Sequence, residues 1–313
     1  MSPKEIFEKI KEGFGILNPQ NIITDNDKKL LLEANYVGEE SRDTSIKPQN
    51  SYSLKNEVDA NLIQRTQIRF LKQELRKQKN LEQIFEKAEK IIDNEQTQSQ
   101  EKSSNTLNED WLSYYIENAS KISDEQVQDL WAKILAGEII KPKTFSKRTI
   151  DILLRLSSEE AQLFEKICGY IVEIDNTPVI INEEPLNSAN YFTYFDIMQL
   201  GEFGLINSSH TNRLSVSVST TDKFAIVYGE DVIIGIPEKP TDIAFQIFPL
   251  TISGIELFRI TSPNRKYNYI KNLENYLENK YQNINWSICQ ILERDKKNIR
   301  YVKINMHIIR GET

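Results

Sequence analysis

The sequence is poor in the residues that carry most small-molecule chemistry. Its 313 residues include two cysteines and two histidines, too few for a disulfide framework and a thin supply for zinc or general-base chemistry. Eleven glycines and ten prolines are about half the usual share. That excludes collagenous and Pro-rich architectures and argues against a turn-dense all-β chain. No run approaches the roughly 18 consecutive apolar residues of a membrane-spanning helix. The opening MSPKEIFEKI carries Glu5 and Glu8 and has no apolar signal core, so secretion is not expected. Phosphate-binding GxxxxGKS/T, GxGxxG after a strand and the nucleophile motif GxSxG are all missing. What remains is 39% hydrophobic and 27% charged residues with a net charge of −7. These describe a core-forming, reduced, cytoplasmic protein whose overall charge opposes whole-surface affinity for nucleic acid. A local cationic stripe can still bind.

Helical periodicity dominates the first half. Ile6, Phe7, Ile10, Phe14 and Leu17 share one face of a short helix. Packing on the rest of the protein competes with partner docking as its role. Membrane-surface contact through residues 4–17 is disfavoured, because Glu5, Glu8 and Glu12 dilute the lysines. Residues 28–35 suggest a second short helix and 37–54 an exposed loop. From 55 to 93 no Pro or Gly interrupts. Ile68, Leu71 and Leu75 form one apolar stripe, and Leu81, Phe85, Ala88 and Ile92 resume it after a six-residue step that breaks the heptad. Residues 94–107 read as a polar linker. Trp111, Tyr115 and Ile116 then face Val127, Trp131, Ile134 and Leu135 across a helical hairpin. Its second helix is expected to open at Ser123 with Gln126 and to stop at Gly137. Ser146 caps a further helix, and Ser157 with Glu160 forms a capping box for the next.

Beyond Glu173 the pattern turns toward strands. Residues 196–206 read as a short helix, a glycine stop and a strand entry; 213–218, 223–228 and 231–236 are β-branched runs between turns. Residues 250–260 return to helix with Thr251 as cap. A helix follows at 267–281, and two strands, 285–292 and 299–308, make a terminal hairpin. The fold class is therefore mainly α with an α+β C-terminal half. We expect a helical region at 1–145, a module of winged-helix type or generic α+β fold at 146–262, and a C-terminal helix plus β-hairpin at 263–313.

The run DLWAKILAGEIIKPKTFSKRTIDILLRLSSEEAQLFEKI, residues 129–167, carries a family resemblance. Trp131, Leu135 to Glu138, Pro142, Ser146, Arg148, Thr149, Leu156 and Ser157 resemble a pattern shared by uncharacterised bacterial proteins, a domain-of-unknown-function family neighbouring the Abi-alpha-like, abortive-infection-associated proteins. LGEFGLI and LTISGIEL fit the same pattern. The resemblance implies a bacterial cytoplasmic protein with a link to phage defence, and it carries no catalytic residues.

Candidate chemistry is sparse. His210 and His307 have no Cys or carboxylate at ligand spacing, and Cys168 and Cys289 read as small buried hydrophobes. No metal site and no cofactor is expected. Arg148 either pairs with Glu138 or contacts an anion. The sharper feature is cationic. Arg65, Arg69, Lys72, Arg76 and Lys79 fall within a sector of about 80° on a helix, with the Ile68, Leu71 and Leu75 stripe beside them. Six cations against Glu74 alone give residues 65–79 a net +5. Like charges at i,i+4 cost a few tenths of a kcal/mol per pair, so the row calls for an anionic partner, phosphate backbone or an acidic protein surface. The expected function is a non-enzymatic interaction protein acting through oligomerisation or a partner. The alternatives are a nucleic-acid-binding regulator reading through the helix at 196–200, and a metal-dependent nuclease or hydrolase. This organisation predicts that limited proteolysis cuts first within 37–54 or 94–107; early cleavage inside 124–170, seen by mass spectrometry, would contradict it.

Overall fold

A computed structural model describes residues 2–16, 60–96, 107–184, 186, 191–209, 211–295 and 298–303. The chain divides into two compact units, Met1–Lys143 and Thr144–Thr313. The helix expected at 28–35, the loop at 37–54, most of the linker at 94–107, His210 and His307 all lie outside the described residues.

In the first unit, α1 (Pro3–Gly13) opens with a capping box between Ser2 and Glu5. Its apolar face packs inward: Phe7 stacks on Phe85 with ring centroids 5.5 Å apart. The buried Lys11 ammonium reaches Glu89 at 3.2 Å. The partner of α1 is α2 (Ala60–Gln96), a single helix of 37 residues that runs three residues past the expected end at Asp93. Against α2 lie α3 (Glu109–Ala119) and α4 (Glu125–Ile140). Trp111, Tyr115 and Trp131 form an aromatic ladder with centroids 5.3 and 5.2 Å apart, and the Tyr115 hydroxyl donates to the Trp131 carbonyl at 2.7 Å. Two expectations for α4 are corrected. Asp124, not Ser123, caps it, accepting from the Val127 N–H at 3.0 Å, because a carboxylate is as good an N-cap as a hydroxyl and complements the helix dipole. Gly137 does not stop it; buried Ile139 favours continuing the helix over ending it at a glycine.

The second unit begins with α5 (Lys147–Arg155), capped by Ser146, and α6 (Ser158–Cys168), whose capping box is Ser157 with Glu160. Next come β1 (Val172–Ile174), β2 (Thr177–Ile181), α7 (Tyr194–Glu202), β3 (Arg213–Val218), β4 (Phe224–Tyr228), β5 (Asp231–Pro237) and β6 (Thr241–Pro249). The chain continues through α8 (Ile252–Phe258, capped by Thr251), α9 (Tyr267–Lys280), β7 (Ile284–Arg294) and β8 (Ile299–Lys303). All eight strands join one antiparallel sheet, in order β3-β6-β2-β1-β4-β5-β7-β8. Tyr269, Ile270, Leu273 and Leu277 of α9 cover one face, packing with Ile174, Val179, Ile226, Phe245 and Trp286. Glu274 faces the same layer and accepts the Ile288 N–H at 3.0 Å.

The C-terminal half is thus more β-rich than expected, and the winged-helix arrangement is replaced. A wing is a small hairpin beside three helices, whereas β4 and β5 sit mid-sheet and β3 is an outer strand beside β6. The strands overlooked in sequence explain the difference. β2 is an apolar run with no alternation, the mark of burial on both faces. Its turn from β1 places Asp175 and Asn176 at φ of 50° and 60°, the tight two-residue hairpin loop that Asn and Asp tolerate. The terminal hairpin β7–β8 extends the sheet outward from β5.

No helix among the described residues is long and apolar enough to cross a membrane. At Gly254 a Cβ would come within 2.0 Å of the Leu205 carbonyl oxygen. Gly254→Ala therefore forces α8 off its seat, with a loss of about 1–3 kcal/mol in urea-induced unfolding of the second unit.

Candidate functional site

The five cations of the sequence analysis all lie on α2, and Arg65, Arg69, Lys72, Arg76 and Lys79 are all exposed. Arg69, Lys72, Arg76 and Lys79 form no ion pair among the described residues. Lys77, off the arc, is the one that engages Glu74, at 2.7 Å.

The apolar stripe beside them does not pack as expected. Ile68, Leu71 and Leu75 are 47%, 38% and 50% exposed, while Leu81, Ile84, Phe85, Ala88 and Ile92 are buried. The six-residue step explains why. Six residues rotate about 600°, so Leu81 points some 120° away from Leu75. The two stripes are different faces of one helix, and only the second meets α1, α3 and α4. Phe70 lies on the packed face by rotation yet is 63% exposed, because the packing begins at Asn80, whose side-chain amide donates to the Ser120 carbonyl at 2.9 Å. Residues 62–79 thus form an arm of α2 with a cationic arc and an apolar edge side by side. Arg65, Ile68, Arg69, Lys72, Gln73 and Arg76 border a shallow groove along it.

Cys168 is buried and its thiol is pushed up to about 12 by desolvation; Cys289 is buried as well. Among the described residues no group of His, Cys, Asp and Glu could hold a metal ion. Arg148 is exposed and forms no ion pair among the described residues, and one Glu138 carboxylate oxygen accepts the Lys143 backbone N–H at 2.6 Å. On α7, Asp196 caps the helix with Thr193 and meets Lys166 at 3.3 Å, while Tyr194 and Phe195 are exposed.

These positions set a contrast in stability. Leu71→Gln with Leu75→Gln shifts the unfolding free energy by no more than about 0.5 kcal/mol, whereas Phe85→Ala costs about 3–5 kcal/mol. Equal losses in denaturant titration would mean that the arm's apolar edge is packed.

A family model described as protein of unknown function (DUF2806) matches residues 64–274, well over half of the chain. No curated protein and no solved structure matches it. The matched stretch opens on the arm itself and closes inside α9. On that match, the chain belongs to the DUF2806 family.

Proposed function

We propose that this protein is a non-enzymatic interaction protein that self-associates, the cationic arm of one copy seating on an acidic surface of another. The observation that supports it is the composition of the arm's open face, five cations beside three exposed aliphatic side chains. A bare phosphate backbone answers the cations but leaves the aliphatic edge in water; a protein surface can cover both.

The same chain offers the complementary charge. With +5 on residues 65–79 and −7 overall, the rest of the molecule carries −12. Between residues 109 and 129, Glu109, Asp110, Glu117, Asp124, Glu125 and Asp129 are exposed; Lys121 pairs with Glu117 and Lys87 of α2 with Asp129, so six carboxylates face two ammonium groups there. Seating an arm on such a surface is a head-to-tail contact, which closes into a ring or continues as a filament according to its rotation. The setting we propose is phage defence, resting on the resemblance of residues 129–167 to neighbours of the Abi-alpha-like proteins.

Nucleic-acid backbone is the second reading, favoured by the unbroken arc of cations. The two readings separate in solution. In sedimentation experiments at low salt the parent self-associates. It becomes monomeric in high salt or when Arg69→Glu, Lys72→Glu and Arg76→Glu are combined, and Leu71→Gln with Leu75→Gln weakens the association too. A parent that stays monomeric at low salt overturns the self-association reading. Binding to duplex DNA with three to five phosphate contacts would instead fall by roughly one and a half to three decades between 50 and 200 mM salt, and would ignore the apolar substitutions.

A further inference from the structure

The second unit holds a cavity that plays no part in the proposed self-association. Its volume is about 690 Å³, and its walls include Glu173, Ile255, Phe258, Arg259, Pro263 and Arg265. Arg265 is the unusual member. Its stem passes over Gly229, where a Cβ would stand 3.4 Å from its Cγ and Nε; Gly229 has a φ of +66°, so the turn both requires glycine and leaves room for the side chain. The guanidinium carbon lies 4.7 Å from the Tyr228 ring centroid and 5.6 Å from that of Phe258. One nitrogen, Nη1, donates to the Ile171 carbonyl at 2.5 Å.

That environment orients the cation without neutralising it. Glu173, the carboxylate on the same cavity wall, is taken in bidentate fashion by Arg294 at 3.1 and 2.9 Å, so Arg265 forms no ion pair among the described residues. Exposed Arg259 adds a second positive charge to the lining and likewise has no ion pair among the described residues. A half-buried guanidinium with a planar fork and unused N–H donors is suited to an oxyanion, which it can grip through two parallel hydrogen bonds. Two arginines match a doubly charged group better than a single carboxylate. The space is far larger than a free phosphate ion and falls in the range of small-molecule sites, and Ile255, Phe258 and Pro263 offer apolar contact for an organic body.

From this geometry we infer that the cavity binds a small organic phosphate monoester, its phosphoryl oxygens held by Arg265 and Arg259 and its organic part lying along Ile255, Phe258 and Pro263. The phosphate's charge of about −1.5 to −2 at neutral pH balances the two guanidinium groups.

Isothermal titration calorimetry of the full chain tests the site with four probes: phenyl phosphate, adenosine monophosphate, adenosine and inorganic phosphate. At least one of the two esters should bind about tenfold more tightly than inorganic phosphate, and adenosine should not bind measurably. Arg265→Lys keeps the charge but loses the fork; with Arg259→Glu, an exposed change that leaves the fold in place, it should weaken ester binding about tenfold or more in each case. The inference is overturned if neither ester binds by about 5 mM, if inorganic phosphate binds as tightly as both, or if the Arg259→Glu protein binds the esters as the parent does.

Discussion

Burial of one face of α2 governs the helical unit, and the point where that burial stops creates its candidate surface. From Asn80 to Ile92 the helix lies against α1, α3 and α4, with Phe85 stacked on Phe7 and the Asn80 amide tied to the carbonyl of Ser120. Most helical stability in proteins comes from packing of an amphipathic face rather than from propensity. The packed half therefore acts as the anchor from which the first half extends. Once anchored, the arm's rotation is set by the covalent geometry of the helix. The cationic arc lies well away from the packed face, and the apolar edge of Ile68, Leu71 and Leu75 stays open beside it.

The second unit is organised around α9 and the sheet beneath it. Tyr269, Ile270, Leu273 and Leu277 fill the apolar layer, while Glu274 accepts a backbone N–H from β7 on that same side. Tyr228 stitches the start of α9 to the sheet: its hydroxyl donates to the Gly169 carbonyl at 2.6 Å and accepts the Lys266 N–H at 2.8 Å. The same tyrosine ring supports the Arg265 guanidinium. A residue that ties α9 to the sheet thus also supports the Arg265 guanidinium on the cavity wall.

Local signals in the chain were readable wherever the physics is local. Ser146, Ser157 and Thr251 cap the helices they are expected to cap, since capping needs only a side-chain oxygen three residues before a backbone N–H. β3 matches its expected span because its side chains alternate between exposed and half-buried. β2 has no such signal: after Thr177 its residues are all buried, and so short an apolar run fits a buried strand or a buried helix segment equally well. Asp124 rather than Ser123 caps α4: both are competent N-cap residues, and only the backbone path chooses between them.

By itself, the sequence determined the cationic arc: five side chains at helical spacing must share a sector if the segment is helical, whatever surrounds them. It also determined most helix starts, which depend on contacts a few residues apart, and the helical stripes whose Trp111, Tyr115 and Trp131 meet in the hairpin. Tertiary structure alone decided that Ile68, Leu71 and Leu75 face outward, because periodicity marks a face without saying what covers it. It alone decided that two short strands and the missed β6 join the others in one sheet, since strand pairing is set by contacts far apart in the chain. The meeting of Arg265 with Tyr228 also belongs to the fold: Tyr228 reaches it through strand β4, 37 residues before Arg265 in the sequence, and no local pattern foretells that approach.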